Sequence, residues 1–249
     1  MMPSPESAVG TERSALSGRR VGVVIPALDE QDSIGLVLGD LPWQLLQQVV
    51  VADNGSRDAT VERARAAGAE VVHAARRGYG SACLAGLAAL RDCDVVAFLD
   101  ADYSDHPDEL PSLLAPLFEG RAELVIGSRA LGHSEPGALL PQQRFGNWLA
   151  TRLMRALWKI DVSDLGPFRA ISREALERLD MCDPDFGWTV EMQVKAAQHN
   201  LRVLEVPVSY RRRIGHSKIA GTLTGTLKAG HKILSTIAKL RLAQARKRR

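Results

Sequence analysis

Apolar residues fall along this chain in short unbroken runs, and stretches with helical spacing separate them. Val21 to Pro26 is the first run, followed by Asp29-Glu30 and a helical stretch from about Ser33 to Leu41. Val49 to Ala52 repeats the pattern and ends on Asp53-Asn54-Gly55-Ser56, ahead of a helix near Ala59 to Ala67. Glu70 to His73 reads as a short third strand and Gly78 to Leu90 as an Ala- and Leu-rich helix. Val95 to Leu99 is the next strand, and Glu123 to Ile126 one more, closing on Gly127-Ser128-Arg129. Unbroken β-branched and aromatic runs belong to strands buried on both faces. Strands alternating with helices predict right-handed βαβ units, hence an α/β fold with a mainly parallel sheet flanked by helices.

After Arg129 the pattern loosens. Gly132 to Gly137 reads as a loop, Arg144 to Trp158 as a helix and Phe168 to Ile171 as a short strand. A helix from Trp188 to about His199 and a strand from Val203 to Val208 follow. From Leu223 to Leu242, apolar Leu223, Leu227, Leu234, Ile237 and Leu240 recur near a helical period, opposite Lys228, Lys232, Lys239 and Arg241. That predicts an amphipathic, basic C-terminal helix.

Each strand of the first half ends on polar or charged residues: Asp29-Glu30, Asp53, Asp100-Ala-Asp102 and Arg129. Open α/β sheets bind ligands at the carboxyl ends of their strands, so four such ends predict a nucleotide-sized site there. Asp100 and Asp102 suit a divalent metal, because Mg²⁺ takes one or two protein carboxylates and completes its shell with water and substrate phosphates. The competing reading is a cap for the helix that Pro107 starts. Asp53 is placed for a hydrogen bond to base or ribose, whereas Asn54 to Asp58 also reads as a turn and helix cap. Arg76-Arg77-Gly78-Tyr79-Gly80 opens a helix as a phosphate-binding turn would.

Composition sharpens this picture. A length of 249 residues suits one large α/β domain with terminal extensions, or two small domains. Residues 1–19 carry Ser, Gly, Glu and Arg with no apolar core segment, which predicts a disordered leader and not a signal peptide. Three cysteines make neither a disulfide framework nor a zinc site and point to a reducing compartment. No stretch nears the roughly 18 apolar residues of a membrane span. The formal charge of +3 hides an asymmetry: Arg211 to Arg249 holds twelve Lys or Arg and no acid, leaving a body of net charge −9. Such a tail suits an anionic partner. The helix it carries either lies on anionic lipid or packs on the body or on a partner subunit, which would make a homo-oligomer.

Seven segments resemble, in order, the inverting family 2 glycosyltransferases of GT-A fold, and among them the polyprenyl- and dolichyl-phosphate hexose synthases. They are Ile25-Pro-Ala-Leu-Asp-Glu30, Asp53-Asn-Gly-Ser-Arg-Asp-Ala-Thr60, Arg77-Gly-Tyr-Gly80, Leu99-Asp-Ala-Asp-Tyr-Ser-Asp-His-Pro107, Gly127-Ser-Arg129, Asp164-Leu-Gly-Pro-Phe-Arg169 and Arg212-Arg-Ile-Gly-His-Ser-Lys218. The resemblance spans about residues 20 to 220 and implies a GT-A domain over 20–218, with the basic helix and tail at 219–249. It implies that Pro26, Ala27, Glu30 and Asp53 line a nucleoside pocket, that Asp100 lies near ribose and metal, and that Asp102 ligates Mg²⁺ or Mn²⁺. Relatives often carry a Gln where Ser104 stands, which leaves a third protein ligand unassigned. Arg129, Arg144, Arg169, Arg212 and Lys218 would face the acceptor phosphate or the donor diphosphate, since guanidinium forks match phosphate oxygens.

The reaction this implies moves a hexose from UDP-glucose or GDP-mannose to a polyprenyl phosphate, at the inner, cytoplasmic face of a membrane, with no nucleic acid as partner. A phosphate acceptor is already anionic at pH 7 and needs no base. A hydroxyl acceptor would need one, and Glu191 and Asp164 are the candidates. Met192 and Val194 belong to core packing, and His106 and His216 lack metal-ligand spacing. The rival functions are a hydroxyl-directed glycosyltransferase, a sugar-phosphate nucleotidylyltransferase and a non-catalytic binding module. The nucleotidylyltransferase lacks its Gly-rich phosphate loop between Pro26 and Glu30.

Overall fold

A computed structural model describes residues 18–215 and 223–247. Most of the predicted leader, and Lys218 and His216 of the basic loop, lie outside the described residues. The elements are β1 (Val21–Ala27), α1 (Ile34–Gly39), β2 (Leu46–Asp53), α2 (Thr60–Ala66), β3 (Glu70–His73), α3 (Tyr79–Ala89) and β4 (Val95–Phe98). They continue with α4 (Leu110–Phe118), β5 (Leu124–Ser128), α5 (Pro141–Trp158), β6 (Arg169–Ser172), α6 (Arg173–Leu179), α7 (Trp188–Gln198), β7 (Val203–Pro207) and α8 (Leu223–Lys247). The seven strands form one sheet in the order β3-β2-β1-β4-β6-β5-β7.

The sheet is mainly parallel, as the alternation predicts, with one exception. Strand β6 runs antiparallel to both β4 and β5. Arg169 at its start pairs with Phe98, the last residue of β4, and with Ile126 in the middle of β5. The excursion through α5 therefore stays on the carboxyl edge and re-enters the sheet from that edge. Residues 129–168 are thereby gathered where ligands bind.

Strand β1 shows why the sheet is apolar on both sides. Val24 belongs to a core with Phe98, Met154, Trp188 and Met192, while Val23 and Ile25 belong to a second core with Ile34, Leu38, Leu110 and Leu113. Phe98 and Trp188 meet edge to face with centroids 6.0 Å apart, an arrangement worth about 0.5–1.5 kcal/mol beyond burial. Helix α6 is absent from the sequence prediction. Its start is marked by the Ser172 side chain, which accepts from Ala175 N.

Between the readings offered for the C-terminal helix, the central part of α8 packs on the body. Thr236 and Ile237 are buried, Trp158 Nε1 donates to Gln244 Oε1 at 2.8 Å, and Lys232 pairs with Asp183 and Asp185 at 3.3 Å each. Lys239, Arg241 and Leu242 face solvent.

Candidate active site

The site begins where β4 runs out. Leu99 and Ala101 are held in the core, so the acids between and after them are fixed by apolar anchors. Tyr103 adopts a left-handed conformation (φ +64°), which a bulky residue enters only under constraint. The constraint is visible. Its hydroxyl donates to Asp40 Oδ2 at 2.7 Å, and the Arg211 guanidinium lies 3.3 Å from its ring centroid while Arg211 Nε donates to Tyr103 O. Arg211 N donates to Ser104 O and Ile214 N to Asp102 O, so residues 211–214 are laid along the acidic loop. That places Arg213 between two acids, with Nη1 3.2 Å from Asp102 Oδ2 and Nη2 2.7 Å from Glu30 Oε1.

The acidic loop fits a cation. Asp100 Oδ1 and Asp105 Oδ1 are buried and have no hydrogen-bond partner among the described residues. Burial, then the Asp102 and Asp105 charges, hold Asp100 well above the usual carboxylate range, and burial with Asp102 pushes Asp105 up to about 7. Carboxylates crowded this way keep their charge only when a positive group joins them. Among the described residues no three His, Cys, Asp or Glu side chains group to hold a metal by themselves. This suits Mg²⁺ or Mn²⁺ bound by Asp102 with Asp100 and finished by water and phosphate, and does not suit a closed cage.

Across the cleft, Arg129 follows β5. Its backbone N and Nε each donate to Asp164 Oδ2 at 2.8 Å, and Nη2 donates to Oδ1 at 2.6 Å. Its guanidinium also lies 5.0 Å from the Tyr210 ring centroid. Burial works against both charges, but the pairing wins: it raises the Arg129 pKa and holds the Asp164 carboxyl below its ordinary value. Arg129, Asp100 and Arg213 line an open cleft of about 920 Å³ with Arg144, Trp148 and Arg152 of α5.

A sequence model described as glycosyl transferase family 2 matches residues 22–180, well over half of the chain. The chain belongs to that family. An uncharacterised glycosyltransferase of Mycobacterium tuberculosis is 38% identical over 215 residues, covering 85% of this chain and 95% of that protein. The undecaprenyl-phosphate mannosyltransferase of Micrococcus luteus is 31% identical over 220 residues, covering 83% and 90%. The crystal structure of glucosyl-3-phosphoglycerate synthase from M. tuberculosis with Mn²⁺, UDP and phosphoglyceric acid superposes with a TM-score of 0.77. It is 26% identical and covers 97% of this chain and 84% of that one.

In this glycosyltransferase several residues singled out from sequence take other places. Gly78 and Gly80 do not form an open phosphate cradle. A Cβ at Gly78 would stand 2.2 Å from Pro184 O, and one at Gly80 1.9 Å from Asp183 O. The N–H groups of Gly78, Gly80 and Ser81 already donate to Asn54 Oδ1, Asp185 O and Pro184 O. The glycines let the 183–185 segment lie against the start of α3. Asp53 accepts from Ser56 N, Gly55 N and His73 Nδ1, which commits it to its turn. Pro26 and Ala27 are buried at the end of β1 beside it. Arg169 is fully buried, donating to the carbonyls of Leu165, Gly166 and Thr189, and burial lowers its pKa to about 10. It braces the 165–166 loop and faces no phosphate. Exposed Arg212 donates to Pro136 O, and its half-buried neighbour Arg213 takes the place by the acids. Three adjacent arginines carry no signal that chooses among them.

Neither candidate base is available. Asp164 is locked onto Arg129. Glu191 is 2% exposed, accepts from Cys182 N and Asp183 N and pairs with Lys195 at 2.9 Å. It holds the loop that covers the start of α3. Glu191→Gln is expected to cost about 1–3 kcal/mol of stability by weakening those buried bonds. Transfer per folded molecule should stay within about threefold, as expected away from the reacting atoms. Urea unfolding beside active-site-titrated rates checks this, and a large loss of rate in a fully folded variant refutes it.

Proposed function

We propose that this glycosyltransferase moves a hexose, with inversion, from a UDP or GDP sugar to a polyprenyl-phosphate-type lipid. The observation that carries this reading is at the cleft mouth. Arg144 and Arg152 line the cleft beside Trp148, which is 54% exposed, and Phe145, 61% exposed, lies 5.8 Å from it between ring centroids. Leu131 and Leu140 are exposed as well. Cationic forks beside a solvent-facing aromatic pair match a ligand with an anionic head and a long apolar tail. The likeness to an undecaprenyl-phosphate mannosyltransferase supports the same class. A small phosphorylated hydroxy acid, such as the phosphoglyceric acid bound by the synthase, would use the arginines and leave the aromatics without a partner.

The chemistry follows from these groups. A phosphate monoester is largely dianionic at pH 7 and attacks the anomeric carbon unaided. The new bond joins a phosphate oxygen to that carbon, and the bond to the donor diphosphate breaks with its electron pair leaving on the nucleoside diphosphate. No base is needed, in keeping with the commitment of Asp164 and Glu191 elsewhere. Arg129 and Arg144 orient the incoming phosphate. Arg213 stands ready to meet the donor diphosphate, and Asp102 with Asp100 would hold Mg²⁺ or Mn²⁺, which neutralises charge on the leaving group when bound.

Among the described residues no helix is long and apolar enough to cross a membrane. The reading places the protein peripherally on the cytoplasmic leaflet, through Phe145, Trp148 and the exposed Lys239, Arg241 and Leu242. Each basic residue there adds about 1 kcal/mol on anionic lipid.

Incubation with UDP-glucose or GDP-mannose, Mn²⁺ and detergent-dispersed undecaprenyl phosphate should yield a glycosyl phospholipid. Sugar transferred only to 3-phosphoglycerate or simple alcohols would overturn the reading. The double variant Phe145→Ser, Trp148→Ser should raise KM for the lipid about tenfold or more while leaving KM for the nucleotide sugar in place, as loss of buried apolar contact predicts.

A further inference from the structure

We propose that Glu205, on β7 and outside the cleft lining, is a positioning residue that aims Arg129 at the acceptor phosphate. Its carboxylate oxygens accept from Ser163 N at 3.0 and 2.9 Å, Ser163 Oγ at 3.0 Å and Asp164 N at 3.2 Å. All four hydrogen bonds recorded for this carboxylate among the described residues come from that two-residue segment. Ser163 Oγ continues the network to Ser128 Oγ, 2.7 Å away and next to Arg129 in the chain. Asp164, its backbone fixed by Glu205 and by Gln193 Nε2 on its carbonyl, then grips the Arg129 fork through both carboxylate oxygens.

The chemistry of Glu205 marks it as more than filler. Burial raises its pKa, so keeping a carboxylate there is unfavourable unless its hydrogen bonds matter. Two backbone N–H groups and a hydroxyl aimed at one carboxylate make a rigid bracket. A glutamine cannot reproduce it, because its amide turns an NH₂ toward the same donors. The pairing of β7 with β5 puts Glu205 opposite Ile126, three residues before Arg129. The bracket is therefore anchored on the sheet through β7.

This inference rests on the reading of Arg129 as a ligand of the acceptor phosphate, and a double-mutant cycle separates the two. Kinetics are measured on the full chain with Mn²⁺, nucleotide sugar and phosphate acceptor for Glu205→Gln, Arg129→Lys and the double variant. Glu205→Gln should raise acceptor KM about tenfold with donor KM changed less than about twofold, the size expected from misplacing a group in an otherwise intact site. In the Arg129→Lys background the same change should add less than about twofold, since residues acting through one another are non-additive. Equal losses in both backgrounds, or an unchanged acceptor KM, overturn the proposal. If Arg129→Lys alone leaves acceptor KM unchanged, the reading of Arg129 falls and this inference with it. If only Glu205→Gln is silent, this inference falls alone. Ser163→Ala keeps the carboxylate and both N–H groups and serves if Glu205→Gln does not fold. It should raise acceptor KM about threefold through loss of one hydrogen bond, and no rise counts against the bracket.

Discussion

Asp102→Asn should lower hexose transfer by at least about 10³-fold while the folded protein persists, because it removes charge where the leaving diphosphate must be neutralised. The amide oxygen can still accept from Ser104 N, which Asp102 Oδ1 does at 3.0 Å, so the loop keeps its turn. What disappears is the anion that faces Arg213 and the candidate metal. Stability should change little, because Arg213 keeps Glu30 as a partner when it loses Asp102. Asp102 raises the pKa of both Asp100 and Asp105, so its removal relieves repulsion in the loop. A site that gives up stability for function behaves this way. Initial rates with labelled donor, Mn²⁺ titration by calorimetry and thermal unfolding of the same sample test all three statements. A variant within about tenfold of the parent rate would remove Asp102 from the machinery, since a charge meeting the transition state is worth more than that.

Arg129→Ala should be the most destabilising single change in the site. Asp164 is 2% exposed and Arg129 supplies its charge partner, so truncation leaves a buried carboxylate without its cation, at about 3–5 kcal/mol. The pH dependence has a definite sign. The Asp164 carboxyl is depressed in the folded state, so its contribution is complete above its unfolded value and is lost as pH falls through the folded one. The gap between parent and variant should therefore be full at neutral pH and narrow below about pH 4, the ordinary range of Asp. Urea unfolding at pH 7 and near pH 3 measures it. A difference under about 1 kcal/mol at pH 7 would mean that solvent reaches the pair and it behaves as a surface one.

The family and the kind of site were legible in the chain because both depend on local facts. Apolar runs that end on Asp53, Asp100 and Arg129 are strands ending at one edge, whatever else the molecule does. Where the reading from sequence went astray, the missing information was a contact between distant segments. Gly78 and Gly80 look like a phosphate turn until Asp183 and Pro184, a hundred residues on, are found occupying the space. Glu191 beside Trp188 looks like a base until its oxygens are seen bound to the backbone of 182–183. Arg169 carries a motif position into the core instead of the cleft.

The sequence by itself determined the α/β architecture, and it marked the carboxyl edge and the Asp100-Ala-Asp102 acids as the candidate site, since strand periodicity and a charge at a strand end are properties of neighbouring residues. Only the tertiary structure decided that β6 returns antiparallel, that Arg213 and not Arg212 meets the acids, and that Asp164 serves Arg129 while Glu205 stands behind it. Those outcomes are set by which backbone groups and charges must be satisfied together once segments far apart in the chain are packed side by side.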